Sequence, residues 1–195
     1  MTDRLDAVSL ASVSPRRRSL LESLGLHVVV VPSRYDESAA PIDGRDPMEL
    51  ALAHAIGKAN GALADGPPVL VAADTIVDVD GALLGKPRDP ADAARMLRTL
   101  SGRWHVVHTG FAVTDRARGR IVTGVESSRV RFVDLDDAQI ERYVRSGEPL
   151  DKAGAYGIQG RGALLVERID GDFYTVMGLP LARVAAALRQ LGFEL

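Results

Sequence analysis

The sequence predicts an α/β fold on a mixed β-sheet, not a strictly alternating doubly wound one. Three features of the chain carry this expectation. Strand-like and helix-like segments alternate from the N-terminus onward. Two long strand-like stretches, Trp104 to Thr114 and Arg120 to Phe132, follow one another with no helix between them, and Asp80-Gly81 is a hairpin turn signal. Antiparallel ribbons set into a β–α alternation give a mixed sheet with helices against it. A chain of 195 residues that is 46% hydrophobic can bury a sizeable core, and residues 1–195 are expected to form a single domain.

Ala7 to Ala11 reads as a short buried strand running into Ser14-Pro15 and a helix that ends near Gly25. Val28 to Val31 is a second strand. Asp46-Pro47-Met48-Glu49 opens a helix with an N-cap, a proline at the first helical position and an acid behind it, and the pattern carries it to about Ala64. Val69 to Ala73 is an apolar strand ending on Asp74, followed by the hairpin strands Ile76 to Val79 and Ala82 to Leu84. Asp89-Pro90 caps a helix that reaches Leu100 and stops at Gly102. After the long strand pair come a helix from Asp136 to Ser146, a loop from Gly147 to Gly162, strands at Ala163 to Arg168 and Phe173 to Met177, and a last helix from Pro180 to Leu191.

Composition removes several classes of function. With no cysteine there is no disulfide framework, no thiolate metal site and no thiol nucleophile. No apolar run approaches the roughly 20 residues that span a bilayer, and Asp3, Arg4 and Asp6 stand where a signal peptide needs apolar residues. A cytoplasmic protein without a membrane partner is expected. A net charge of −2 argues against a nucleic acid polymer as partner and favours a small anionic ligand held by local cations. A homodimer is compatible with these readings.

Local rules are broken at a few places, and those are the candidate site. Arg16, Arg17 and Arg18 put three cations in the first turn of a helix, where the macrodipole is already positive; each mismatch costs about 0.3–1 kcal/mol. An anion there would meet backbone N–H groups, the Ser12 and Ser14 hydroxyls and Arg16, while Arg17 and Arg18 read equally well as a solvated face. No Walker pattern is present. Asp74 at the end of an apolar strand needs a cation, a metal or a turn to cap, and Thr75 beside it adds an oxygen. Asp36-Glu37 after the second strand could supply further hard oxygen ligands, or equally be two solvated loop acids. Lys86 between Gly85 and Pro87, Lys58 and Lys152 could gather with Arg16 around one polyanion. His105 and His108, three apart on a strand, point to opposite faces, so magnesium or manganese on oxygen ligands is preferred to zinc. The segment DKAGAYGIQGRG, Asp151 to Gly162, has four glycines with Tyr156 and Gln159; it suits close backbone approach to a ligand and an amide that pairs with a base edge, or equally a plain connection.

In this order the motifs resemble the Maf-type nucleoside triphosphate pyrophosphatases over nearly the whole chain. The matching pieces are Leu10-Ala-Ser-Val-Ser-Pro-Arg-Arg-Arg, Ala73-Asp74-Thr75, Gly85-Lys86-Pro87, Ser101-Gly102 through His105 to Thr109-Gly110, and Asp151-Lys-Ala-Gly-Ala-Tyr-Gly-Ile-Gln-Gly160. The form with Tyr-Gly-Ile-Gln resembles the subgroup acting on dTTP and UTP, not the one acting on 7-methyl-GTP. The resemblance implies an elongated mixed sheet flanked by helices with a cleft between two lobes, as in Maf and inosine-triphosphatase-like proteins. It also implies metal-dependent (Mg²⁺ or Mn²⁺) hydrolysis between the α and β phosphates. The resemblance makes Asp74 the proton acceptor, a carboxylate that could instead be a metal ligand; on the residues' own chemistry Glu37 is a second metal ligand, and Lys86 and Lys152 would act in catalysis. Ser12, Ser14 and Lys58 would bind substrate, and Arg16, Thr75 and Gln159 match the specificity positions. The implied role is housekeeping removal of non-standard or excess nucleotides; the rival, also associated with the family, is a nucleotide-binding regulator of septum formation or division without turnover. Two departures stand out: Ile56-Gly57 where relatives carry a basic and an acidic residue before the lysine, and Thr175 where they commonly carry Asn.

Overall fold

The computed structural model describes residues 3–37 and 45–195. In chain order the elements are β1 (Asp3–Arg4), β2 (Ala7–Leu10), α1 (Pro15–Glu22), β3 (His27–Val30), α2 (Pro47–Gly61), β4 (Val69–Val79), β5 (Ala82–Leu84), α3 (Pro90–Leu100), β6 (Trp104–Asp115), β7 (Arg120–Phe132), α4 (Asp137–Arg145), β8 (Val166–Asp170), α5 (Phe173–Met177), α6 (Leu181–Gln190) and β9 (Phe193–Glu194). The strands β3-β2-β4-β6-β7-β8 form one sheet, with β5 paired to β4. Pairing is parallel for β2 with β3 and β4, and antiparallel for β4 with β5 and β7 with β8. The fold is therefore α/β with a mixed sheet flanked by helices, as the strand-after-strand pattern predicts.

Where capping chemistry is strong, the elements start where the sequence places them. The Asp46 carboxylate accepts from the Met48 and Glu49 amides, and Asp89 accepts from Asp92. Asp136 and Gln139 form a reciprocal capping box at α4. Each satisfies N–H groups that the first helical turn leaves without partners.

Two compact units share the chain. The first comprises residues 1–74, 109–126 and 178–195, and the second residues 75–108 and 127–177. In the first, Ala11, Val31, Ala59, Leu70, Ala72 and Ala112 make an apolar cluster of small side chains. Small residues let α2 lie close on the sheet: a Cβ at Gly110 of β6 would collide with the Ala51 and Leu52 backbone. In the second, α3 buries Ala93, Met96, Leu97 and Leu100, an i, i+3, i+4, i+7 face, in a larger cluster with Phe132, Tyr143, Tyr156 and Leu165.

Three expectations are corrected. The strand carrying Asp74 does not end there; β4 continues unbroken to Val79 with Asp74 in its interior. A paired carboxylate does not force the strand to stop, and Thr75, Ile76 and Val77 are β-branched residues that favour extended backbone. Phe173 to Met177 is a helix, not a strand. The Asp172 carboxylate accepts from both the amide and the hydroxyl of Thr175, at 2.7 Å each. That cap overrides a five-residue apolar pattern too short to show its period, and Thr175 itself makes the hydrogen bonds of this turn. The segment 147–162 is not a plain connection either. It is a chain of tight 3₁₀ turns over Glu148–Asp151, Ala153–Ala155 and Gly160–Leu165.

Candidate active site

The three arginines at the start of α1 have three different fates. Arg18 pairs with Glu22 on the surface at 2.7 Å, the solvated face of the sequence reading. Arg16 is half-buried in the first turn. Arg17 is buried: its Nε donates to the Gly178 carbonyl at 2.7 Å and its Nη1 to the Ser12 hydroxyl at 3.0 Å. Burial pulls the Arg17 guanidinium below its usual pKa, and the negative charges of Asp74 and Glu37 pull it back up. The Ser12 hydroxyl also accepts from the Ser14 amide at 3.3 Å. Ser14 occupies the N-cap position of α1, yet its side chain makes no capping hydrogen bond, and no acid stands in the first turn. Ser12, Ser14, Arg16 and Arg17 thus surround one helix start whose positive end is not neutralised from within the helix. Nothing in the spacing of the arginine run distinguishes Arg17 as the buried one.

In the same unit Lys58 joins two carboxylates. Its Nζ lies 2.6 Å from Asp74 Oδ1 and 2.8 Å from Glu37 Oε1, with side-chain exposures of only 11% and 12% for Lys58 and Asp74. At that burial an unpaired carboxylate would be costly, so the ammonium is what makes Asp74 tolerable inside β4. Glu37 is 43% exposed and leaves the pair open to solvent on its side.

The second unit holds the remaining predicted residues. Thr75 is half-buried on β4 and Lys86 is exposed. The carbonyl of Gly85, next to Lys86, accepts from the Gly154 amide at 3.0 Å, which ties the lysine loop to the glycine-rich segment. Lys152 Nζ donates to the Glu148 carbonyl and, at 2.5 Å, to Asp151 Oδ1, so its ammonium is held within its own turn. The Glu148 carboxylate accepts from the Arg161 and Gly162 amides at 3.2 and 3.3 Å. Gly154 and Ala155 are both left-handed, φ 67° and 59°, a conformation that costs an alanine about 1–2 kcal/mol. Buried Tyr156 fixes the bend: its hydroxyl is 2.7 Å from His105 Nε2, and its ring packs edge-on against His105 and Phe132. Burial lowers the His105 pKa to about 4, so the imidazole is neutral, and burial also raises the Tyr156 hydroxyl. With Tyr156 and Ile158 turned inward, Gln159 is left exposed at the tip. His108 pairs with the Ser127 hydroxyl at 2.8 Å.

Among the described residues no three His, Asp or Glu side chains converge into a complete metal cage. Asp74 and Glu37 nevertheless fit a hard divalent cation. Both are hard oxygen donors brought to one place by Lys58, and magnesium ordinarily takes one or two carboxylates and fills its remaining positions with water and phosphate oxygens.

Comparison with known proteins gives this geometry its context. Residues 7–191 match the family described as "Maf-like protein". The chain belongs to the Maf family. Among its relatives, the dTTP/UTP pyrophosphatase of Moorella thermoacetica is 52% identical over 194 residues, 95% of each chain. That of Thermus thermophilus is 48% identical over 185 residues, also 95% of each. The dTTP/UTP pyrophosphatase of Dictyoglomus thermophilum is 43% identical over 189 residues, 96% of this chain and 97% of the relative. Among the described residues, no helix of this Maf chain is long and apolar enough to cross a membrane.

Proposed function

We infer that this chain is a nucleoside triphosphate pyrophosphatase that hydrolyses dTTP and UTP between the α and β phosphates, releasing the nucleoside monophosphate and pyrophosphate. The observation that carries the reading is the Glu37–Lys58–Asp74 group, a nearly buried carboxylate held by an ammonium, in a chain about half identical to enzymes named for this reaction. Residues 1–195 are taken as one functional domain working in the cytoplasm, where nucleoside triphosphates are met.

Lys58 fixes Oδ1 of Asp74, leaving Oδ2 as an oriented acceptor for the proton of an attacking water. Ser12, Ser14 and Arg16 at the start of α1 bind phosphate oxygens, with Arg17 holding the Ser12 hydroxyl in place. Asp74 and Glu37 would hold Mg²⁺ or Mn²⁺, which when bound supplies positive charge against the charge building on the phosphates. Lys86 and Lys152 add to that neutralisation, Lys152 by exchanging its Asp151 partner for a phosphate oxygen. Gln159, exposed beside the buried Tyr156 and Ile158, reads the base edge, with Thr75 and Arg16 as the other specificity contacts. Pyrophosphate release with Mg²⁺ or Mn²⁺ is expected from dTTP and UTP well above ATP and GTP. Equal slow release from all four would refute the specificity, and nucleotide binding with no product over hours would favour a regulator of septum formation without turnover.

A further inference from the structure

The helix that carries Lys58 has two side-chain gaps on one face, at Gly57 and Gly61. His54, Gly57, Lys58 and Gly61 follow one another at i, i+3, i+4 and i+7 on α2, so they share one side of it. The chain segment from Ser33 to Glu37 lies along that side. Arg34 donates its amide to the Gly61 carbonyl at 2.9 Å, and the Ser33 hydroxyl donates to the Lys58 carbonyl at 2.9 Å. Ser33 and Ala62 form an isolated β-bridge. The Tyr35 ring fills the space at Gly57, where any Cβ would overlap ring carbons Cδ2, Cε2 and Cζ. A Cβ at Gly61 would come within 2.9 Å of the Tyr35 backbone nitrogen. The ring cannot swing aside freely, because the Tyr35 hydroxyl is hydrogen-bonded to Nδ1 of buried His54 at 2.9 Å and the two rings pack edge-on. Two residues beyond Tyr35 stands Glu37, on Lys58 Nζ.

We propose that Tyr35, docked into the side-chain gap at Gly57 and anchored on His54, is a positioning residue that sets Glu37 against Lys58 beside Asp74. The departure Ile56-Gly57 then has a physical meaning in this chain: the helix gives up a side chain at 57 so that an aromatic ring from the preceding segment can occupy its place.

The proposal rests on the pyrophosphatase reading for its activity arm and is independent of it for its structural arm. In the activity arm, Tyr35→Ala lowers kcat for dTTP about 10–100-fold, the scale of displacing a positioned catalytic group, and Tyr35→Phe, which keeps the ring, loses only a few-fold. In a Glu37→Gln background Tyr35→Ala adds less than about 2-fold, because both act through one carboxylate. Losses that multiply would overturn the proposal. In the structural arm, Gly57→Ala speeds hydrogen exchange at the Arg34 and Tyr35 amides, and combining it with Tyr35→Ala adds nothing further. Unchanged exchange in both Gly57→Ala and Tyr35→Ala would also overturn it. Should Gly57→Ala fail to fold, Tyr35→Ala carries the exchange measurement alone. A wild-type protein that releases no pyrophosphate would sink the enzymatic reading only, and exchange would still decide whether Tyr35 docks the segment.

Discussion

The charged group around Lys58 and the turn-rich segment from Glu148 to Gly162 hold their polar side chains by different means. Around Lys58, charge holds charge: two carboxylates share one ammonium with almost no water around two of the three groups. In the segment, backbone geometry and buried rings do the holding. Left-handed Gly154 and Ala155, the Tyr156–His105 contact and the Glu148 carboxylate on two amides fix the frame, and Gln159 emerges from it exposed. The difference teaches where each region is sensitive. On the proposed mechanism a single charge change is expected to strike at the chemistry of the first, whereas the second is expected to tolerate changes at its tip and to fail when its buried support is altered.

The largest test of that contrast is Asp74→Asn. It keeps an acceptor for Lys58 but loses the proposed proton acceptor, and kcat for dTTP should fall about 10²–10³-fold, the scale of removing one charge-handling group. Steady-state pyrophosphate release measures it; turnover near wild type would take Asp74 out of the mechanism.

Next comes the pH dependence of the support in the second region. The folded His105 has a pKa of about 4 against an ordinary 6.5, so below pH 6.5 the unfolded chain takes a proton that the folded chain refuses. Stability from this group is complete above pH 6.5 and falls as the pH drops toward 4. The loss reaches about 3 kcal/mol, at 1.36 kcal/mol for each pH unit of difference. Urea unfolding of the wild type and of His105→Phe over this range should show a flatter slope for the variant. Parallel slopes would mean that His105 is not buried neutral.

The smallest effect is expected at the tip. Gln159→Glu should erode the preference for dTTP and UTP over ATP and GTP while changing the overall rate only a few-fold, since an exposed side chain is altered and its frame is not. An unchanged substrate profile would assign Gln159 to packing alone.

Much of the architecture was legible because it is locally encoded. Asp46, Asp89 and Asp136 announce their helices through amides two or three residues away, Asp80-Gly81 announces a hairpin, and consecutive long strands announce a mixed sheet. The candidate residues were legible as types, and the first unit does bring Ser12, Ser14 and Arg16 to one helix start and Glu37, Lys58 and Asp74 to one ion-paired group. What the sequence could not reveal is which partner each group meets. The partner of Asp74 is 16 residues upstream, so whether β4 ends or continues at a carboxylate depends on a side chain no local rule contains. The Arg17 guanidinium is buried against a carbonyl 161 residues away, while Arg18 beside it stays in water. Gly57 reads as a weak point of a helix until Tyr35 is seen to fill its place. Caps, turns and hydrophobic periods act between neighbours in the chain and are fixed by sequence alone. The pairing of buried charges and the filling of side-chain gaps act between distant segments, and only the packed tertiary structure decides them.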